Sequence, residues 1–440
     1  MWYGLCMKFV IHGSSPLSGR VVAPGNKNAA LPMIAASIMA DSPVTLARLP
    51  LIRDVRIMLE ILNDLGAGVA LDEAAHTVTI DPATMTPRPL DTELCRQIRA
   101  SILFAGPLAA KFGEAVIPSP GGDAIGRRRL DTHFDGLRAL GFDITETAPL
   151  IFRKKIRDTG EGACATLRRR IIFDEASVTA TENVVMAAAL TKGETTLYNA
   201  ACEPHVQDLC RMLNLMGGDI TGIGTNQIVI RGVPRLTGGS MSVGSDAIVA
   251  ASFIAAAAAT HGSLTLDNIV PEEFEILARP FARLGVKWEF KEDGSLFLPA
   301  IQELRIVNDS EGAIPKIEDG IWPAIPSDIL SALIVLSCCS EGIVLFFEKM
   351  FESRMYFVDH LINMGARIVQ CDPHRIIVHG PTRLRGTVVT SPDIRAGMAL
   401  LIAGLAANGT TTIHNAESID RGYESIETAL QAMGADITRE

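Results

Sequence analysis

The sequence predicts an α/β protein of six repeated units, three to each of two domains, with helices buried inside their sheets. Three observations carry this expectation. The first is a junction in which an amphipathic segment ends in Leu-Gly or Met-Gly and a short strand follows. It occurs at Leu65-Gly66, Leu140-Gly141, Met216-Gly217, Leu284-Gly285, Met364-Gly365 and Met433-Gly434. Successive glycines are 75, 76, 68, 80 and 69 residues apart, and each stands where a helix C-terminus takes a left-handed residue. The second is a companion element of small-residue helix, turn and β-branched strand, seen in AASIMADSPVTLARL, PLAAKFGEAVIPSP, AAALTKGETTLYNA, AAAATHGSLTLDNI, LIVLSCCSEGIVLFFEK and LIAGLAANGTTTIHNA. Helices with so few large side chains suit enclosure by sheets. The third is size, because 440 residues exceed one ordinary core. With 48% hydrophobic but only 5% aromatic residues, that core is made of Ala, Leu, Ile and Val.

Taken in order, the first unit opens with Ala23-Pro24-Gly25-Asn26-Lys27-Asn28, a lysine and an amide beside a glycine turn and before an apolar helix. A lysine at a helix start can hold an anionic group. The helix that follows lines Val55, Met58, Leu59, Leu62 and Leu65 on one face. The second unit carries Arg96-Gln97-Ile98-Arg99-Ala100-Ser101 and delivers the chain into Pro118 to His133, PSPGGDAIGRRRLDTH. That stretch combines a Pro-Gly-Gly turn, one carboxylate (Asp123), Gly126 and the arginines 127 to 129. Glycines let a ligand approach the backbone, and arginine forks grip phosphate and carboxylate in two-pronged fashion. In a chain of net charge -10, this marks an anion site on a mobile loop. The later units carry Ser177 to Asn183, Pro326-Ser327-Asp328, Phe351 to Arg354, Ser391 to Ala396 and Ile419 to Glu424. Ile248 to Ala259 reads as a buried helix, too short to span a membrane.

The same composition excludes several classes of function. An acidic balance argues against a nucleic-acid partner, which needs a broad basic surface. The cysteines at 6, 95, 164, 202, 210, 338, 339 and 371 form no CxxC pair and no zinc-like spacing. Free thiols in a reducing cytosol fit them best. The first residues, MWYGLCMKFVIHG, lack the apolar run of a signal peptide. A soluble cytoplasmic protein is expected, with no membrane partner and an oligomeric state that the sequence does not set.

The motifs PGNKNAALP, IRASILFAGPLAAKFG, PGGDAIGRRRLDTH, SVTATEN, FESR, DIRAG and IDRGYE, in this order, resemble those of the enolpyruvyl transferases. The resemblance runs from about Val10 to the C-terminus, and the GGDAIGRRR loop belongs to the sugar-nucleotide branch. It implies two inside-out α/β barrel-like domains of three repeated units each, joined by a double crossover. One domain would be residues 1–26 and 245–440, and the other residues 27–244, carrying the Pro118–His133 loop. The substrates would bind in the cleft between them. The implied reaction adds a hydroxyl of UDP-N-acetylglucosamine to C2 of phosphoenolpyruvate and a proton to C3, then expels phosphate and that C3 proton. Neither a metal nor an organic cofactor is implied.

By the same resemblance Lys27, Arg128 and Arg421 face the phosphate and carboxylate of phosphoenolpyruvate, supported by Arg99, Arg354 and Arg395. Asp328 matches the carboxylate that takes the hydroxyl proton, although a helix N-cap after proline is an equally plain reading of it. Asn28 matches the amide that holds the sugar. Ser177, Val178 and Thr179 match the diphosphate-binding segment, Asp131 and His133 lie near the uridine end, and Asp393 joins the substrate-binding set. Where most members have cysteine in the PGGxAIG loop, this chain has Asp123, placed as general acid at C3. Enclosure would raise its pKa and the neighbouring cations would lower it. Lacking the loop thiol, the chain is expected to resist fosfomycin. Cys202 stands where arginine is frequent, and Ser245 to Ala250 departs from the usual DxIE-type segment. Other acceptors stay open on these grounds, a UMP-like nucleotide or shikimate 3-phosphate among them, as does a non-catalytic sugar-nucleotide-binding relative.

Overall fold

The structure is a computed structural model that describes residues 7–123, 125–155 and 167–440. The reading of the first six residues, and of Cys6, Ala124 and Cys164, lies outside them. Contacts divide the chain into two units. The first comprises Met1–Pro24, Asp123–Arg128 and Ser245–Glu440; the second comprises Gly25–Gly122 and Arg129–Gly244.

Each unit has its own apolar core, built around three inner helices. In the first unit these are Ala247–Ala259, Ser327–Cys339 and Ile394–Ala406, and in the second Lys27–Ser37, Ala105–Phe112 and Val178–Ala189. Helix Ala247–Ala259 buries every residue but Ile248, as a helix apolar on all sides must. Small side chains let sheets close on it from several directions. The amphipathic helices lie outside these. Arg53–Asp64 buries Val55, Met58, Leu59 and Leu62, the face its periodicity predicts, and widens it with Ile57 and Ile61. All six junction glycines have φ between +86° and +102°, so a β-carbon would strain each turn from helix to strand.

Three sheets enclose the helices of each unit. In five of the six, the strand that leaves the inner helix sits between a parallel and an antiparallel neighbour. Thr410–His414 shows the pattern: Ile413 lies opposite Val389 on its parallel side and Phe9 on its antiparallel side. All three are buried against the inner helices. The sixth sheet, Glu114–Ile117 with Leu150–Lys154 and Phe142–Thr145, has three strands among the described residues.

The glycine-arginine loop departs from the sequence expectation. It is not carried whole by the second unit, because Asp123–Arg128 packs with the first. Gly121 still belongs to the second unit: its N–H donates to the Cys95 carbonyl (3.0 Å), and an added β-carbon would stand 1.7 Å from the Arg96 carbonyl oxygen. Beyond it, the Arg127 N–H donates to Glu352 Oε2 (3.0 Å) and the Ile125 carbonyl accepts from the Ser353 N–H (3.2 Å). Gly126, at φ +135°, lies so close to Glu352 that a β-carbon would meet its Oε2 at 2.4 Å. The other divisions fall at Pro24/Gly25 and Gly244/Ser245.

Candidate active site

In the first unit the starts of the three inner helices meet. Asp246 caps Ala247–Ala259 by accepting from the Ile248 and Val249 N–H groups (3.0 and 2.9 Å). Asp393 caps Ile394–Ala406 in the same way, from Arg395 and Ala396 (2.8 and 2.9 Å). These bonds satisfy donors that a helix leaves unpaired. The third helix differs. Its cap position is Pro326, which makes no side-chain cap, and Asp328 in its first turn is not a cap either. Its carboxylate turns instead to two arginines.

Arg354 Nη2 donates to Asp328 Oδ1 at 2.5 Å, and Arg395 Nε donates to Oδ2 at 2.9 Å. Both arginines are 5% exposed, so each guanidinium needs partners on every side. Arg395 Nη1 donates to the Tyr423 hydroxyl (3.1 Å) and its Cζ lies 5.4 Å from the centroid of that ring; the hydroxyl in turn meets Ser252 Oγ (2.9 Å). Arg354 Nε donates to Ser327 Oγ (3.2 Å) and the guanidinium sits over Phe351. Burial would raise the pKa of Asp328, but the Arg395 and Arg354 guanidiniums outweigh it and hold this carboxyl well below the usual carboxylate range.

The loop brings two more groups to the same place. Asp123 Oδ1 accepts from Arg421 Nη1 in an ion pair that is mostly buried. Arg128 lies in the field of Asp123, Asp328, Arg354 and Arg421. Burial lowers its pKa, offset in part by the two carboxylates, and a guanidinium so placed remains charged. Burial also raises the pKa of Asp393, which feels Asp123 as well. Arg128, Arg354, Arg395 and Arg421 thus form a cluster of guanidiniums around the carboxylates of Asp123 and Asp328.

In the second unit Lys27 opens its inner helix, 8% exposed, with Nζ 2.7 Å from Asp54 Oδ2. Asn26 caps this helix by accepting from the Asn28 and Ala29 N–H groups (2.8 and 3.2 Å), which leaves half-buried Asn28 beside the lysine. Arg99 starts the 3-10 turn Arg99–Phe104 and reaches the Arg129 carbonyl (3.5 Å). Arg129 pairs with Asp131, the first residue of helix Asp131–Leu140. Ser177, Val178 and Thr179 form the half-buried start of Val178–Ala189, and the Ser177 side chain makes no cap bond. A helix start of this kind favours a bound anion.

His133 is not a free ligand group. The Asn183 amide is oriented by accepting from the Gly106 N–H (2.8 Å) and donating to the Ile102 carbonyl (2.9 Å), so its Nδ2 donates to His133 Nδ1 (3.0 Å). Nε2 therefore carries the proton and donates to Thr179 Oγ1 (3.0 Å). Burial, with a smaller contribution from Arg99, lowers the pKa of this ring to about 3. It is a neutral support for Thr179.

Several contributors escape a reading of motifs. Asp54 had a signal, an acid on the buried stripe of an amphipathic helix. Ser327 and Glu352 sit inside the quoted motifs, but nothing in the sequence tells which partner each takes. Among the described residues, no group of three or more His, Cys, Asp or Glu side chains could hold a metal ion, and no helix is long and apolar enough to cross a membrane.

Residues 11–430 match the family described as EPSP synthase (3-phosphoshikimate 1-carboxyvinyltransferase). The chain is 47% identical to the UDP-N-acetylglucosamine 1-carboxyvinyltransferase of Bradyrhizobium diazoefficiens, over 98% of both chains. It is 45% identical to the protein of the same name from Borreliella burgdorferi, again over 98% of both. The solved enolpyruvyl transferase NikO from Streptomyces tendae shares the fold with a TM-score of 0.85, at 24% identity over 99% of each chain. With six repeats in two units and this match across nearly its full length, the chain belongs to the EPSP synthase (3-phosphoshikimate 1-carboxyvinyltransferase) family, the enolpyruvyl transferases.

Proposed function

We propose that this protein transfers the enolpyruvyl group of phosphoenolpyruvate to the 3′-hydroxyl of UDP-N-acetylglucosamine and releases phosphate, a step toward peptidoglycan precursors in the cytoplasm. The observation that carries the reading is Asp328 gripped by Arg354 and Arg395, with Arg128 and the Asp123–Arg421 pair beside it. A proton acceptor set among cations is what addition of a hydroxyl to a polyanionic enol ester requires. The names of the relatives at 45% and 47% identity support the choice of acceptor.

In this reading Arg128, Arg421 and Lys27 take the phosphate and carboxylate, and Arg99, Arg354 and Arg395 steady them. Asp328 removes the hydroxyl proton as the oxygen bonds to C2, and Asp123, entering the step as the free acid, delivers its proton to C3 and takes it back as phosphate leaves. The adduct then loses phosphate from C2 and a proton from C3, restoring the double bond. As it stands, Asp328 is a weak base because both oxygens are held by guanidiniums. An incoming trianion competes for the same guanidiniums and returns basicity to Asp328 as the substrate binds. Asn28 would hold the sugar, the Ser177–Thr179 helix start the diphosphate, and Asp131 the uridine end, with His133 acting through Thr179. Asp393 keeps Arg395 in place through its helix cap.

Phosphate release from phosphoenolpyruvate, measured with UDP-N-acetylglucosamine, other UDP-sugars, UMP and shikimate 3-phosphate, tests the reading. Release is expected with UDP-N-acetylglucosamine above all others. Release with another acceptor alone would reassign the substrate, and none with any acceptor would leave a binding protein.

A further inference from the structure

Behind Asp328 lies a pair of acids that the reaction does not use. Strand Lys316–Glu318 runs parallel to Gly342–Phe347, with Glu318 opposite Phe347. One step further along that register, Asp319 and Glu348 come side by side, and both are 0% exposed. Their donors can be counted. Asp319 Oδ1 accepts from the Lys349 N–H (2.5 Å), and Oδ2 has no donor. Glu348 Oε1 accepts from the Met350 and Phe351 N–H groups (3.1 Å each), and the Ser327 hydroxyl is shared between Oε2 (2.9 Å) and Oε1 (3.1 Å). Two adjacent buried carboxylates, one with an empty oxygen, cannot both stay ionised. A proton between them satisfies Oδ2 and removes one charge.

The pair is wired to the site. Ser327 Oγ, which donates to Glu348, accepts from Arg354 Nε (3.2 Å), and Arg354 Nη2 holds Asp328. The other charged groups that face the pair are few. Lys349 directs its ammonium to Glu318 and Asp319 takes only its N–H, while His374 donates Nδ1–H to the Glu348 carbonyl (2.7 Å).

We propose that Asp319 and Glu348 share one proton and act as positioning residues, setting through Ser327 and Arg354 the grip on Asp328. Burial, then the hydrogen bond and charge of Asp319, push Glu348 up to about 8, against the opposing pull of Arg354 and Ser327. While the proton is present, Ser327 and Arg354 face a single negative charge. Once it leaves, a second charge draws Arg354 away from Asp328, and the array that meets the substrate loosens. The role at Asp328 rests on the proposed transfer reaction, whereas the shared proton does not.

Asp319→Asn tests both. Its Oδ1 still accepts from the Lys349 N–H, and its amide gives Glu348 a permanent donor in place of the proton. Glu348→Gln is the mirror variant, its amide serving the empty oxygen of Asp319. In substrate-free protein, one protonated-carboxyl infrared band, distinct from that of buried Glu182, is expected to disappear between about pH 7 and about pH 9.5 in the parent and to be missing from Asp319→Asn. No such band in the parent overturns the proposal. In steady-state assays the parent's kcat is expected to fall about tenfold over that range, and that of either variant less than about twofold, with KM at neutral pH within about twofold. Profiles that superimpose, in correctly folded variants, overturn the positioning role. An intact band in a protein that transfers nothing sinks the transferase reading instead and leaves the shared proton standing.

Discussion

Two inner-helix starts, Val178–Ala189 in one unit and Ser327–Cys339 in the other, are equivalent elements of two different repeats and are put to opposite electrostatic uses. Around the first, the buried groups are neutral. His133 is held uncharged between Asn183 and Thr179, and burial, with Glu203, pushes the Glu182 carboxyl far above its usual range. At the second, the acid in the first turn is ionised: Asp328 is fixed by Arg354 and Arg395. The difference is one of available partners. A buried group without a counter-ion gives up its charge, and one with two guanidiniums in hydrogen-bond contact keeps it. The neutral start can hold a shape, and the charged start can move protons.

If that division is right, substitutions at the two starts should separate cleanly. The largest effect is expected from Asp328→Ala, which should lower kcat by ~10²-fold or more while the protein melts as a folded chain. Near-normal turnover in the folded variant would remove Asp328 from the proton transfer. Next comes Asp123→Ala, expected to lose turnover by about tenfold or more. Asp123→Cys should stay active and acquire time-dependent inactivation by fosfomycin, because a thiolate held by Arg421 and Arg128 opens an epoxide far faster than a carboxylate does. Labelling of the parent protein at this loop by the drug would contradict the assignment.

At the neutral start, the charge state of His133 should show itself in stability. The folded His133 takes a proton only near pH 3, whereas the unfolded ring does so near 6.5. The unfolded state therefore binds more protons between those values, and stability is complete above 6.5 and lost as pH falls through the window. Between about pH 7 and about pH 5 the parent should lose about 2 kcal/mol more than His133→Gln in denaturant titrations. Equal losses in the two proteins would mean that the ring is already charged in the fold.

The comparison also explains which residues a linear reading could find. Several helix starts were legible because a glycine or proline precedes them, as Pro24-Gly25 does Lys27, Pro326 does Ser327 and Pro392 does Ile394. Lys27, Arg99, Ser177, Asp328 and Arg395 all stand at or within one residue of a helix start. What each start does with its charge was not legible. Asp328 could have been a cap, as Asp246 and Asp393 are, and only the approach of Arg354 from a different segment decides against it. His133 looked like a ligand beside Asp131, and it became a buried support because Asn183, 50 residues away, meets its Nδ1.

By itself, the sequence determined the six-fold repeat, the inner and outer helices and the turns between them. Those follow from local spacing, side-chain size and the left-handed residues at positions such as Gly66 and Gly434. Tertiary structure alone decided that Asp123–Arg128 packs with the first unit, that Lys27 is paired with Asp54, and that Asp319 lies beside Glu348. Each of those depends on strand register or on contacts between segments far apart in the chain. The charge state of a buried acid is set by such neighbours, and no spacing along the chain encodes it.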